Sequence, residues 1–304
     1  MDWWKNLSEK WNIDKLVAPV TNAKKYYQML DNLLNLVNDS KVSASVKEMA
    51  KGLSILLKSQ PNIVSINHFI NHWLLRIDPD DQPIVIKELL EVFHERWKNV
   101  DRKTASVLYN LTTPNEKKVC VHGCDKAIES FIEQIAVEQQ KIEIFHTISK
   151  PAIDSRQQME RLLKNNFTIN AFSTEQSGKY LAEVDFLVIP ATILMHDVFI
   201  APVGSYLLSA TMEALGKPTY IVADSRKILN KKYFPKSILD TLINESKKPI
   251  SEIWKNAPSE ITLTNTYLET IPYHLIDSIV LENEVVQGDY FNEQVDKVLI
   301  SKFF

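Results

Sequence analysis

Polar side chains that could transfer protons or bind phosphate are concentrated between residues 120 and 227, mostly in turns after short apolar runs. His122 and Cys124 follow the run VCV, where a ring nitrogen or a thiol could serve as an acid or a base. His196 and Asp197 form a possible second acid–base pair in a later loop. Three basic side chains in the same region could bind a phosphate: Lys150, Arg156 and Lys227.

Most of these residues also have a structural interpretation, which the sequence favours for several of them. Cys124 can act as a small apolar side chain that packs under the start of a helix. Asp125 has the side chain preferred at a helix N-cap. His122 fits a ligand contact and a half-buried, hydrogen-bonded histidine equally well. His196 and Asp197 fit a solvated loop.

The elements that would position these turns lie between Lys117 and Lys227, where short apolar runs alternate with helical patterns. This alternation predicts parallel strands joined by right-handed crossovers. The run DFLVIP (185–190) is continuously apolar, which predicts a strand buried on both faces. Because ligands of such sheets bind at the carboxyl ends of the strands, four turns are candidate site segments. They are 122–125, 147–151, 190–205 and 223–227.

The first 115 residues contain no period-two pattern and show helical periodicity instead. Helices are predicted at 23–37, 43–58, 65–76 and 82–113. Thr112-Thr113-Pro114-Asn115 ends the last of them, so the predicted domains are a helical domain at 1–115 and a Rossmann-like α/β domain with a mainly parallel sheet at 116–304. His68 and His72 have metal-ligand spacing on a helix, but no nearby cysteine or carboxylate joins them. Packing is the favoured interpretation, and no metal site is predicted.

Composition narrows the possible functions. A net charge of -3 with no long basic run disfavours direct nucleic-acid binding. Only two cysteines occur, at positions where a disulfide is unfavourable, which predicts a reducing, cytoplasmic setting. No apolar stretch approaches the length of a membrane span. The chain has only 6 glycines, few for an enzyme whose backbone amides must approach phosphate closely.

Two late segments, GKPTYIVADSRKI and NTYLETIPYHLIDSIVLENEVV, resemble the regulatory subunits of the translation initiation factor 2B family and the related methylthioribose-1-phosphate and ribose-1,5-bisphosphate isomerases. Three earlier segments match that family's order: VCVHGCDKAI, FHTISKPAIDSRQQM and DFLVIPATILMHDVFIAPVGSYLLS. The resemblance extends from about Ser43 to the C-terminus. It implies a homodimer formed through the C-terminal domain and ligand contacts at Thr192, Gly204, Ser205 and Lys227.

The sequence departs from the isomerases at the positions that resemblance assigns to chemistry. Their first turn reads His-Cys-Asn, whereas His122-Gly123-Cys124-Asp125 displaces the thiol by one position. Thr192 stands where they have an aspartate, and a hydroxyl cannot replace a carboxylate in proton transfer. Ala201-Pro202 replaces their Asn-Lys. Lys150 replaces an arginine, which keeps the charge but loses the bidentate geometry.

These departures predict a non-catalytic or degraded member of the family, which binds a sugar phosphate or nucleotide as a regulatory ligand or serves as a protein-interaction module. One alternative is an active aldose-ketose isomerase acting on a phosphorylated pentose. In that case Cys124 would act with Asp197 or Asp125, and no metal or organic cofactor would be needed. The other alternative is a subunit of an assembly that regulates translation, with another protein as its partner.

Overall fold

The computed structural model describes residues 64–76, 83–148, 154–165, 167–230 and 247–299. These residues belong to two compact units, one containing described residues up to Asn99 together with Leu299, and the other comprising Val100–Val298. The predicted helices at 23–37 and 43–58 lie outside the described residues. The predicted domain boundary after residue 115 stays a prediction.

The described part of the first unit contains two helices, α1 (Val64–Leu74) and α2 (Pro83–Trp97). The ring of His68 packs edge-on against Trp97, with 5.5 Å between centroids. The ring of His72 packs against Phe93 at 4.9 Å. Both histidines therefore make the aromatic contacts that the packing interpretation predicts.

The prediction of one continuous helix over 82–113 is wrong. The chain turns at Lys98 and Asn99, and a new helix, α3 (Val100–Thr112), begins in the second unit. Asparagine side chains compete for backbone hydrogen bonds and so favour turns over helix interiors. The spacing of apolar residues alone does not reveal such a break between two helices.

The second unit is built on a seven-stranded sheet whose strands are parallel except for one edge strand, in agreement with the predicted fold class. The seven strands are β1 (Lys117–Val121), β2 (Ile142–Ile148), β3 (Ile169–Ser173), β4 (Phe186–Pro190), β7 (Thr219–Val222), β9 (Ser278–Val280) and β10 (Val285–Gln287). Their order across the sheet is β10-β9-β7-β4-β1-β2-β3.

A second, three-stranded antiparallel sheet was not predicted. It comprises β5 (Ile193–Leu194), β6 (Val198–Pro202) and β8 (Leu268–Pro272), in the order β5-β6-β8. β5 is only two residues long, too short to show a period. β8 ends in Pro272. In the structure a single 3₁₀ turn, Tyr273–Leu275, follows it.

Helices cover both faces of the large sheet. α3 and α4 (Lys126–Val137) pack against each other and, with α5 (Asp154–Leu162), contribute to one core cluster. α7 (Ser205–Ala214) and α8 (Phe291–Asp296) contribute to the opposite cluster, and the short α6 (Ser177–Tyr180) completes the helices described. β4 supplies side chains to both clusters, which confirms the predicted two-sided burial. Within the described ranges, no helix combines the length and the apolarity needed to cross a membrane.

Candidate functional site

His122 directly follows β1 and lies at the centre of the predicted site. Its side chain is fully buried, and its Nδ1 lies 2.7 Å from Thr147 Oγ1 at the end of β2. Its Nε2 lies 3.4 Å from the carbonyl oxygen of Pro202 at the end of β6. A neutral ring with its proton on Nε2 satisfies both contacts, because the Thr147 hydroxyl can then donate to Nδ1. His122 therefore connects the two sheets.

Burial lowers the pKa of His122 to about 4, and the hydrogen bond to Pro202 opposes that change only in part. A neutral imidazole is consequently the form present near pH 7. With both ring nitrogens engaged by neighbouring protein groups, His122 acts as a structural contact in this arrangement. The sequence left a ligand contact and a half-buried histidine equally open, and the structure shows complete burial instead of half-burial.

Gly123 explains why the thiol is displaced in this turn. Its φ is +80°, and an added Cβ would lie 3.0 Å from the Cγ atoms of both Pro190 and Pro202. Only glycine combines this left-handed backbone with such close approach. Cys124 follows, and its thiol is half-buried.

Gly204 and Ser205 meet His122 at the crossover from β6 to α7. Gly204 has φ +101°, and an added Cβ would lie 2.9 Å from Thr174 Cγ2 and 3.1 Å from His122 Cε1. Ser205 is buried, and its Oγ donates to the Pro202 carbonyl oxygen at 2.6 Å. The structure therefore brings the predicted residues His122 and Ser205 together at one carbonyl group, with Gly204 packed beside the His122 ring.

The N-terminus of α7 is occupied by a carboxylate from β8 that sequence reasoning missed. Glu269 Oε1 accepts hydrogen bonds from the backbone N–H groups of Gly204 and Tyr206, each at 2.8 Å. Burial raises the pKa of Glu269, and these amides oppose the rise. A helix N-terminus attracts negative charge, so this carboxylate takes the place that an anionic ligand would occupy. No local motif marks Glu269, because it reaches the helix only through the pairing of β8 with β6 at Ala201.

Lys227 is close to the β1 turn but is paired within the chain. Its Nζ lies 3.2 Å from Asp125 Oδ2 and donates to the Ala191 carbonyl oxygen at 2.9 Å. Asp125 Oδ1 accepts from the Ala127 N–H at 2.8 Å, which confirms its predicted N-cap role. Burial acts to lower the pKa of Lys227, but the carboxylates of Asp125 and Asp224 outweigh it and raise that pKa. Thr192 adjoins Ala191, and its N–H donates to the Ile200 carbonyl oxygen at 2.8 Å.

A second ion pair lies beside Lys227. Arg226 donates through Nε and Nη2 to the two carboxylate oxygens of Asp224, at 2.7 and 3.1 Å, and both side chains are buried. Burial acts to raise the pKa of Asp224, but Arg226 lowers it overall. Asp101 on α3 adds a third carboxyl group, whose pKa is raised by burial and by Asp125 and Asp224. The basic side chains at the strand ends are thus neutralised by carboxylates of the same chain.

Asp197 makes its contacts elsewhere, at the tip of the β5–β6 hairpin. It is exposed, with φ +65°, and its Oδ1 accepts from Asn292 Nδ2 at 2.8 Å. His196 Nε2 lies 2.8 Å from Asp296 Oδ1, also on α8. These two residues dock the hairpin on α8.

No described contact joins the remaining predicted ligand-binding residues to this cluster. Arg156 is exposed on α5. Lys150 lies outside the described residues. Among the described residues there is no group of three or more histidine, cysteine, aspartate or glutamate side chains arranged to hold a metal ion.

By its fold and its candidate site, this is a Rossmann-like α/β protein in which charged side chains at the ends of the strands pair with one another. The chain belongs to the initiation factor 2 subunit family, whose sequence model matches residues 21–287. The eIF2B alpha subunit of the translation initiation factor of Dictyostelium discoideum is 21% identical over 189 residues, which cover 59% of this chain. The chain spans 58% of that relative's length.

Solved structures share the fold at low sequence identity. The tetrameric eIF2B-beta2-delta2 complex from Chaetomium thermophilum matches with a TM-score of 0.68 and 13% identity, over 96% of this chain and 97% of the other. The 5-methylthioribose 1-phosphate isomerase of Pyrococcus horikoshii matches with a TM-score of 0.66 and 14% identity, over 88% of this chain and 80% of the other. These likenesses establish a fold common to translation factors and isomerases.

Proposed function

We propose that this chain is a non-catalytic member of its family that acts as a regulatory protein-interaction subunit. The observation that carries this proposal is the internal neutralisation of the strand-end cations, Lys227 by Asp125 and Arg226 by Asp224. A sugar phosphate binding beside these cations would have to displace carboxylates that are already hydrogen-bonded. The Arg226–Asp224 pair is buried, and breaking such a pair leaves an uncompensated charge, which is costly. The Lys227–Asp125 pair is partly buried.

Two further observations support the non-catalytic part of the proposal. The α7 N-terminus already holds the Glu269 carboxylate, which accepts from two of the backbone N–H groups that an incoming phosphate would use. The two residues that would replace the isomerase acid and base, Cys124 and Asp197, follow different elements, and Asp197 is hydrogen-bonded to Asn292.

Assembly with other subunits is the part of the proposal supported by relatives. One of the solved structures that share this fold is a subunit of a tetrameric eIF2B complex. By analogy, we expect this chain to form a homodimer and to bind other members of the initiation factor 2B family. The proposed setting is the cytoplasm, where translation factors act.

The experiment combines ligand binding with partner capture. Thermal unfolding of the full chain is measured with ribose 5-phosphate, ribose 1,5-bisphosphate, methylthioribose 1-phosphate and nucleoside monophosphates, since a ligand that binds only the folded state raises its stability. In parallel, the tagged chain is recovered from its own cells and probed for other family members. No ligand-induced shift together with recovery of a family member is the expected result.

Asp125→Asn is the matched variant for the ligand panel. Asparagine keeps the N-cap oxygen but removes the charge that neutralises Lys227. A phosphate-dependent shift in this variant alone would show that the cleft is closed by its own charges. Isomerisation of any of these sugar phosphates by the unmodified chain would overturn the proposal.

A further inference from the structure

Two polar side chains are fully buried between a strand of the large sheet and the helix that packs on it, away from the site already described. His146 lies on β2 and Gln158 on α5. His146 Nε2 and both amide atoms of Gln158 lack a hydrogen-bond partner among the described residues. Such orphaned groups are rare in folded proteins and cost as much as a lost hydrogen bond.

Both side chains point into the same layer. Side chains two apart on a strand share a face, so His146 lies on the face of Ile144. Residues four apart on a helix also share a face, so Gln158 lies on the face of Leu162. Ile144 and Leu162 belong to the same core cluster, and α5 packs against β2.

The protonation of His146 determines what it needs from a partner. Its Nδ1 lies 2.9 Å from the Thr147 carbonyl oxygen, which can only accept, so Nδ1 carries the proton. Burial lowers the pKa of His146, which keeps the ring neutral. Nε2 therefore presents a lone pair that requires a donor. The Gln158 amide offers one donor group and one acceptor.

We infer that His146 and Gln158 form an internal hydration site, in which a water molecule donates to His146 Nε2 and is hydrogen-bonded by the Gln158 amide. Buried waters occupy such positions between otherwise unsatisfied polar groups. A water molecule is the smallest group that supplies the missing donor.

This hydration site is one end of a buried polar chain that crosses the sheet. His146 binds the Thr147 backbone, Thr147 Oγ1 contacts His122, and His122 contacts the Pro202 carbonyl oxygen, which also accepts from Ser205. The bridged His146 therefore helps to hold Thr147, and through it the His122 ring, in position. His146 and Gln158 are positioning residues for the candidate site.

The first test is a high-resolution crystal structure of the full chain. The expected result is a density peak at hydrogen-bonding distance, about 2.7–3.2 Å, from both His146 Nε2 and the Gln158 amide. A direct hydrogen bond between the two side chains, or a dry apolar contact, would overturn the inference.

A mutant cycle tests the same inference in solution. Gln158→Leu and His146→Leu each remove one side of the water site and leave the other partner unsatisfied, so each should lower the unfolding midpoint by roughly 3–6 °C. The double variant removes both polar groups and should recover most of that loss. Gln157→Leu, an exposed neighbour on α5, is the matched control. Single variants that each raise the midpoint would show that no water is bound.

A spectroscopic measurement separates positioning from stability alone. The ¹⁵N chemical shifts of the His122 ring report its tautomer and hydrogen bonds. They should change in folded Gln158→Leu and remain unchanged in Gln157→Leu. Identical His122 spectra in both variants would remove the positioning role.

Discussion

The buried imidazole of His122 should make the stability of the second unit depend on pH between about 4 and 6.5. The folded state holds the pKa of His122 at about 4, whereas the ordinary value is 6.5. In this range the unfolded chain binds a proton that the folded chain excludes. Stability from this group is therefore fully present above pH 6.5 and is lost as the pH falls to about 4.

The magnitude follows from the pKa difference. Each pKa unit corresponds to about 1.4 kcal/mol, so a change from 6.5 to about 4 amounts to about 3 kcal/mol for His122 alone. Because the side chain is fully buried, solvent screening does not reduce this figure appreciably. Other groups titrate in the same range, so the contribution has to be isolated by comparison.

His122→Asn supplies that comparison, because asparagine does not titrate but can still form hydrogen bonds. Urea unfolding curves are recorded for both proteins at several pH values from about 7 down to about 4. The free-energy difference between them should shrink by about 3 kcal/mol over that range as the histidine loses its advantage. His274→Asn, at an exposed position, is the control and should run parallel to the unmodified protein. A difference that stays constant with pH for His122→Asn would refute the argument.

Three further substitutions test the contacts of the site, each by urea unfolding near pH 7. Glu269→Ala should cost about 1–2 kcal/mol by uncapping α7, and Glu269→Gln should cost less because it keeps an acceptor oxygen. Asp224→Ala should cost about 3–5 kcal/mol because it removes the carboxylate that the buried Arg226 guanidinium binds, and adding Arg226→Met should restore most of that loss. Gly204→Ala should cost about 2–4 kcal/mol from its φ of +101° and its contact with His122, whereas Gly178→Ala, with open space around it, should change stability by under about 1 kcal/mol. A small effect at Asp224 or Gly204 would contradict the burial or the strain assigned to that position.

Much of the large sheet could be predicted because the sequence patterns that indicate its strands involve only neighbouring residues. The continuous apolar run at 185–190 indicates a strand buried on both faces, and the structure confirms it. The N-cap role of Asp125 was predictable for the same reason, since capping depends on residues two or three positions away. The break at Lys98 and Asn99 was missed because the apolar pattern continues across it.

The partners of the site residues could not be predicted, because they lie far apart in the chain. Lys227 meets Asp125, 102 positions away, and Glu269 meets Gly204, 65 positions away. Resemblance to the family identified the segments that carry the site, but gave no sign that their charges are paired internally.

By itself, the sequence determined the class of fold and the family, because these depend on residue type and on the order of elements. Only the tertiary structure decided that His122 is buried and neutral, that Glu269 occupies the α7 N-terminus, and that Lys227 is neutralised. Burial and charge pairing are properties of groups brought together from distant parts of the chain. Their free energies depend on the distances and the dielectric environment that folding creates.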